Sequence, residues 1–369
     1  MSFRVENVAD ARTWSDFLRL PQVIYRDDPN WVAPLSSEVR RTLDASTNPY
    51  FERARLGLFI CYHDDEPLAR ACAVVGSGAW RGAGGKCALF GFYEAVDDPE
   101  ASGRLFDAVT RFCREAGADR IEGPFNPNHY CELGLQTSGF GTAPAFFETY
   151  NPRYYAALLA AVGFSAVQRL HTRSNPNVGA YIRQRYGRVA RPSTQGEYRV
   201  RPFRLLDMRH ELERIRSVFN DAFADNWHFL PLSAAEYSFA AKHLFFVTYP
   251  RLVALVEHHG NPVGVAQCAL DVNPLLRQLG GRATLGGTAR FLAGRRRIRN
   301  AVMYAVGIKR DHRGTDAYRL LLSYLLWVLR DCRVLTTTWM TDENIPALRL
   351  ARRFGLEPSK YFAIYGKRL

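Results

Sequence analysis

Met303-Tyr304-Ala305-Val306-Gly307-Ile308-Lys309-Arg310-Asp311-His312-Arg313-Gly314-Thr315 is the stretch that decides the fold. Its first six residues read as a buried strand. The next seven form a short basic turn that ends in glycine. An apolar helix pattern from Leu320 to Leu329 follows. The order is therefore strand, basic turn, helix N-terminus. The free amides of a first helical turn, with the helix dipole behind them, suit phosphate oxygens. Arginine adds charge-assisted bonds, and glycine lets a ligand come close to the backbone.

Working outward, the chain reads as two similar halves. Leu56 to Tyr62, the turn His63-Asp64-Asp65-Glu66-Pro67 and Leu68 to Val75 predict a hairpin. Leu252 to Glu257, His258-His259-Gly260-Asn261 and Pro262 to Leu270 repeat it. Each hairpin leads to a strand (Ala88 to Ala95; Val302 to Ile308), a helix (Pro99 to Ala116; Thr315 to Asp331) and another strand (Arg120 to Phe125; Val334 to Met340). Each half then shows an Asn, a short helix and a glycine stop, Asn151 to Gly163 and Asn344 to Gly355. Closing strands follow at Ala166 to Thr172 and Tyr361 to Tyr365. Shared order at half-chain spacing argues for an internal duplication. The expected class is α/β, with a mixed sheet in each of two tandem domains, 1–180 and 181–369.

The 369 residues carry 49 Lys and Arg against 36 Asp and Glu, a formal charge of +13. This surplus suits an acidic partner such as a nucleotide phosphate, an acidic carrier protein or anionic lipid. Nucleic acid is disfavoured, because no recognition helix, RNA-binding signature or zinc framework is present. The seven cysteines are scattered, and no ligand spacing suggests a metal. The N-terminus lacks a signal-peptide pattern, and the longest apolar stretch is too short to span a bilayer. A cytoplasmic protein is expected, either free or peripheral at the inner membrane.

With these residues in view, the second half resembles a GCN5-related N-acetyltransferase (GNAT) domain. Val306-Gly307-Ile308 matches that family's strand, which pairs with the pantetheine arm of CoA. Arg313-Gly314 matches the opening of its diphosphate loop, and Asn344, Ala347 and Gly355 match its later helix. The whole chain, including Ile24 to Trp31 and Gly123-Pro124-Phe125-Asn126-Pro127, is similar to a bacterial tandem family of these transferases. One branch of that family makes ceramide. The resemblance implies acyl-CoA, or an acyl carrier protein thioester, as co-substrate, with no permanently bound cofactor. It implies donor contacts at Val306, Gly307, Ile308, Arg313, Gly314, Thr315 and Asn344. Two features depart from the pattern. Thr315-Asp316-Ala317-Tyr318 stands where further glycine is expected, and the family's usual tyrosine acid falls at Ala351.

Acyl transfer to an amine needs a base for the amine proton, an acid for the thiolate and donors for the oxyanion. His228, on the acceptor side in this family, and the pair His129 and Glu132 are candidates for proton transfer. Tyr304 is a candidate substitute acid. Each also has a plainer reading, as a loop histidine, an ordered turn or a packed strand tyrosine. Glu257, Asp342 and Glu343 are further carboxylates near the second-half strands. In the first half the matching loop is Glu94-Ala95-Val96-Asp97-Asp98-Pro99-Glu100, whose carboxylates repel a diphosphate. Asp97 or Asp98 before Pro99 reads as a helix N-cap. The first half is thus expected to shape the acceptor side and the second to bind acyl-CoA.

The Arg-rich segment Gly280 to Asn300 can act as a solvated loop, a grip for an acidic partner or, through Arg290–Arg299, a peripheral membrane contact. The expected activity is N-acylation of a primary amine, with a long-chain lipid amine as acceptor, as in bacterial ceramide synthesis. The alternatives are a non-catalytic acyl-CoA or lipid sensor and an acetyltransferase for a small amine or peptide.

Overall fold

A computed structural model describes residues 2–76, 81–82, 85–128, 130–244 and 246–369. The duplicated order of elements is present in it as mixed α/β structure. The chain divides into two units. One holds Met1–Leu170, Asn273–Ala289 and Lys360–Leu369; the other holds His171–Val272 and Arg290–Ser359.

In the first unit, strands Phe3–Asn7, Ala54–His63, Glu66–Gly76 and Gly85–Ala95 run antiparallel in that order. Gly85–Ala95 then pairs in parallel with Arg120–Gly123. Helix Pro99–Glu115 makes that crossover. Its buried Ala101, Leu105, Phe106, Val109 and Cys113 recur at helical spacing and pack on the hairpin strands. Phe106 meets Phe90 edge-on at 5.3 Å and Phe164 at 4.9 Å, forming an aromatic centre to this core. The last strand of the chain, Glu357–Arg368, pairs with Arg120–Gly123 from Tyr365 to Arg368.

The second unit repeats the scheme. Tyr198–Pro202, Val253–His258, Asn261–Leu270 and Ala301–Ile308 are antiparallel neighbours. Ala301–Ile308 then pairs in parallel with Leu335–Thr337, through the crossover helix Asp316–Leu329. Ser174 and Asn175, from the strand Ser165–Asn175, pair with Thr336 and Leu335. Each unit thus uses a closing strand that sequence order assigns to the other half.

Two elements differ from the sequence expectation. The strand foreseen from Val334 to Met340 ladders only over Leu335–Thr337, with an isolated bridge from Met340 to His171 beyond it. The short helix foreseen from Asn151 begins at Tyr155, because the Asn151 side chain accepts from the Gln136 amide at 2.7 Å. All seven cysteines are unpaired thiols, and five are buried. Among the described residues no helix is long and apolar enough to cross a membrane.

Candidate active site

The parallel strand pair opens in the same place in both units. In the second unit, Ala301–Met303 pairs with Leu335–Thr337 and the ladder then stops. A register shift between Gln267 and Cys268 puts Tyr304 in a bulge, with Gln267 opposite Ala305 and Cys268 opposite Met303. The Thr338 hydroxyl donates to the Tyr304 carbonyl at 3.4 Å, and among the described residues no strand pairs with the outer edge of residues 305–308. That edge offers backbone amides and carbonyls to an extended ligand, a β-addition geometry. Gly307 is required there. A Cβ on it would lie 2.7 Å from the Ala222 Cβ, at the end of helix Met208–Ala222.

The first unit has the same opening after the Cys87–Leu89 pairs, with a matching register shift and Phe92 at positive φ. Here the chain fills its own gap. The Phe92 amide donates to Asn126 Oδ1 at 2.7 Å, and a Cβ on Gly91 would lie 1.6 Å from the Phe125 carbonyl oxygen. Its helix start is also used: Asp98 accepts from the Glu100 and Ala101 amides at 2.8 and 3.2 Å, behind Pro99. Glu94 lies inward, where it accepts from Tyr25 and Tyr155 hydroxyls. Burial pushes its carboxyl above the usual range.

The second unit's basic turn follows the open edge directly. Gly314 has φ +78° with open space around it, a conformation that favours glycine. Arg313 donates through Nη2 to the Ala222 carbonyl at 2.9 Å, and its Nη1 lies 3.6 Å from Asp225. Arg310 lies 3.7 Å from the same carboxylate. One aspartate, Asp225, thus faces two arginines, while Asp221 accepts from the Arg310 amide at 2.8 Å. Thr315 caps the helix, accepting from the Ala317 amide at 3.3 Å. Asp316 accepts from Gln195 at 3.1 Å and lies 3.6 Å from Arg319. Its carboxylate is therefore drawn to side-chain partners of its own. Asn344 Oδ1 accepts from the Ala347 amide at 3.2 Å, capping helix Ile345–Arg353.

Tyr304 sits at the bulge, half-buried, and its hydroxyl accepts from Gln267 Nε2 at 3.2 Å. Burial holds the phenol well above its ordinary pKa, so it stays protonated. The loop carrying His228 joins the turn through Asp225. His228 has φ +54°, with its ring 4.0 Å from that of Trp227. Glu132 keeps solvent contact, yet the surrounding protein pushes its carboxyl up to about 7, and the Asn126 side chain opposes that rise. His129, its expected partner, lies outside the described residues. Burial pushes the neighbouring Cys131 thiol up to about 12, which disfavours a nucleophilic thiolate.

Glu257 is committed elsewhere. Arg201 holds it at 2.7 Å and grips the fully buried Glu211 at 2.6 and 2.7 Å. His171 was not singled out by the sequence. Its backbone exchanges hydrogen bonds with Met340 just beyond the strand opening, and its Nδ1 lies 3.6 Å from Asp342. Burial lowers its pKa, so the imidazole is neutral at neutral pH. A histidine inside a closing-strand pattern gives no sequence signal, because its neighbour Met340 comes from the far half of the chain. The Arg-rich segment folds as helix Leu285–Gly294 and a turn at Arg295–Arg297. Leu285 is exposed, and Arg295 donates to the Phe246 carbonyl at 2.8 Å.

No family model matches the chain. It is 28% identical over 365 residues to a bacterial ceramide synthase of Caulobacter vibrioides (strain NA1000 / CB15N), covering 96% of this chain and 94% of that one. It is 23% identical to Protein YghO of Escherichia coli (strain K12), covering 96% and 92%. Among solved structures, a tandem GNAT protein from the clavulanic acid biosynthesis pathway superposes with a TM-score of 0.58 at 12% identity, covering 100% of this chain and 98% of that one. The fold is thus the tandem GNAT fold. The chain is similar over nearly its whole length to a bacterial ceramide synthase and shares the fold of tandem GNAT proteins.

Proposed function

We propose that the chain moves an acyl group from an acyl thioester to a primary amine, and that the amine is a long-chain lipid base. The edge of residues 305–308, which no strand pairs with among the described residues and which runs straight into the basic turn at Arg313, carries this reading. The pantetheine arm would lie along that edge. Its diphosphate would meet Arg313, Gly314 and the Thr315 helix start. The first unit would bind no donor, because Asn126 fills its strand opening and its helix cap, Asp98, is a carboxylate that repels a diphosphate, where the second unit's cap, Thr315, is a neutral hydroxyl.

The amine nitrogen attacks the thioester carbonyl carbon, and the carbonyl electrons move onto oxygen, where strand amides stabilise the charge. The C–S bond then breaks. The Tyr304 phenol gives its proton to the leaving thiolate. His171 takes the proton lost by the amine, with His228 as the rival base. The near full-length likeness to a ceramide synthase supports a long-chain acceptor. The Arg290–Arg299 stretch would hold the enzyme against anionic lipid or an acidic carrier protein.

Mass spectrometry tests this reading. The protein is incubated with acetyl-, octanoyl- and palmitoyl-CoA and a mixed pool of long-chain bases, small amines and peptides. A long-chain N-acyl base is the expected product. An acylated small amine would shift the acceptor class. No product from any CoA or carrier-protein donor, together with tight acyl-CoA binding, would favour the sensor.

A further inference from the structure

The hairpin tip of the second unit carries a cluster that acyl transfer does not use. His258 pairs with Asn261 across a two-residue loop, His259-Gly260, whose φ values are +48° and +81°. This is the left-handed loop geometry of tight hairpins, in which the first position favours Asn, Asp or Gly. A histidine holds it here. On the neighbouring strand Tyr198 lies opposite His258, which brings Glu197 level with His259.

The three side chains converge. His258 Nε2 lies 3.1 Å from Glu197 Oε2, and His259 Nε2 lies 3.6 Å from Glu197 Oε1. The candidate ligand atoms all fall within 4.8 Å of one another. A tetrahedral ion with bonds of roughly 2.0–2.2 Å separates its ligands by about 3.3 Å. The cluster therefore needs only small adjustments to close on an ion. Two imidazoles and one carboxylate are the donor set of zinc-class ions, not of calcium or magnesium.

Surrounding rings hold His258 in place, while His259 and Glu197 are exposed. Tyr198 stacks on His258 at 4.8 Å and 29°, and its hydroxyl lies 3.2 Å from His312 Nδ1. The His258 and His312 rings are 5.2 Å apart. His312 belongs to the basic turn that ends at Arg313 and Gly314.

We propose that Glu197, His258 and His259 bind one divalent transition-metal ion of the zinc class, with water completing the coordination. The ion clamps the edge strand Tyr198–Pro202 to the hairpin tip and, through the Tyr198–His312 packing, steadies the basic turn. The sequence hides this site because two ligands are consecutive and the third precedes them by some sixty residues.

The test uses full-length protein freed of any histidine tag and dialysed against chelator. Zinc is titrated calorimetrically and bound metal is counted by mass spectrometry. Cobalt serves as a coloured substitute whose visible absorption reports its ligands. About one ion per chain is expected. The H258A/H259A double variant should bind zinc at least about tenfold more weakly and lose the cobalt spectrum. E197Q, a near-isosteric change on an exposed side chain, should weaken binding and alter that spectrum. It keeps the test decisive should the double variant fail to fold. No zinc uptake by the parent, or undiminished uptake by the variants, would overturn the proposal.

Discussion

Replacing Arg313 by alanine should weaken acyl-CoA binding and leave the fold intact. The guanidinium is half-exposed, at 49% of its side chain, and it faces the Ala222 carbonyl and Asp225. A unit charge pair near 4 Å is worth about 1 kcal/mol in water and about 4 kcal/mol at an effective dielectric of 20. Half-exposure puts Arg313 toward the lower end. Giving up Asp225, itself 63% exposed, costs no more than about 1 kcal/mol. The net loss on R313A is then about 1–2 kcal/mol, or roughly 5- to 30-fold in Kd. The loss should shrink at high salt, since exposed charges are screened. R313K should fall between, because it keeps charge without the planar fork. D225N should bind acyl-CoA at least as tightly as the parent, by freeing both arginines. Calorimetric titration with CoA and palmitoyl-CoA at low and high salt measures these values. An R313A Kd within about twofold of the parent at low salt would refute the assignment of this turn to the diphosphate.

Three further outcomes follow from the same geometry. R201M should unfold at a markedly lower temperature, because it removes the close cation between the fully buried Glu211 and Glu257 and leaves them only Arg214, at 3.4 Å from each. Breaking such a pair costs about 3–5 kcal/mol, and adding E211M and E257M should recover much of it. Burial lowers the His171 pKa below its ordinary 6.5, so below that pH the unfolded chain binds the extra proton and stability falls with decreasing pH. H171N should flatten this acid limb in thermal melts across pH 5–7 and, if His171 is the base, should reduce kcat more than it changes KM. G307V should lose both stability, by about 1–3 kcal/mol, and acyl-CoA affinity, since its side chain would collide with Ala222 and the Phe223 ring; thermal melts and titration together read this out.

The sequence carried the element order clearly, because hairpins, crossover helices and glycine stops are local signals. An N-cap at Asp97 or Asp98 before Pro99 was legible for the same reason, and Asp98 is the one whose side chain caps that helix. What stayed hidden depends on pairing between distant segments. The early end of the Leu335–Thr337 ladder could not be read from a run rich in β-branched residues that continues to Thr338, Trp339 and Met340. Asn126 filling the first unit's opening depends on meeting Phe92, and nothing in either residue announces that contact. Glu257 looked available for catalysis until the fold set Arg201 and Arg214 against it. The exchanged closing strands follow from register, which no single segment encodes.

The account rests on where the thioester's nucleotide end lies, and a structure of the protein with CoA bound measures that directly. The diphosphate should touch Arg313 and the amides at the start of helix Asp316–Leu329, with the pantetheine arm along Val306 and Ile308. A diphosphate beside Asp97 and Asp98, with the Arg313 turn closed over its own side chains, would contradict it.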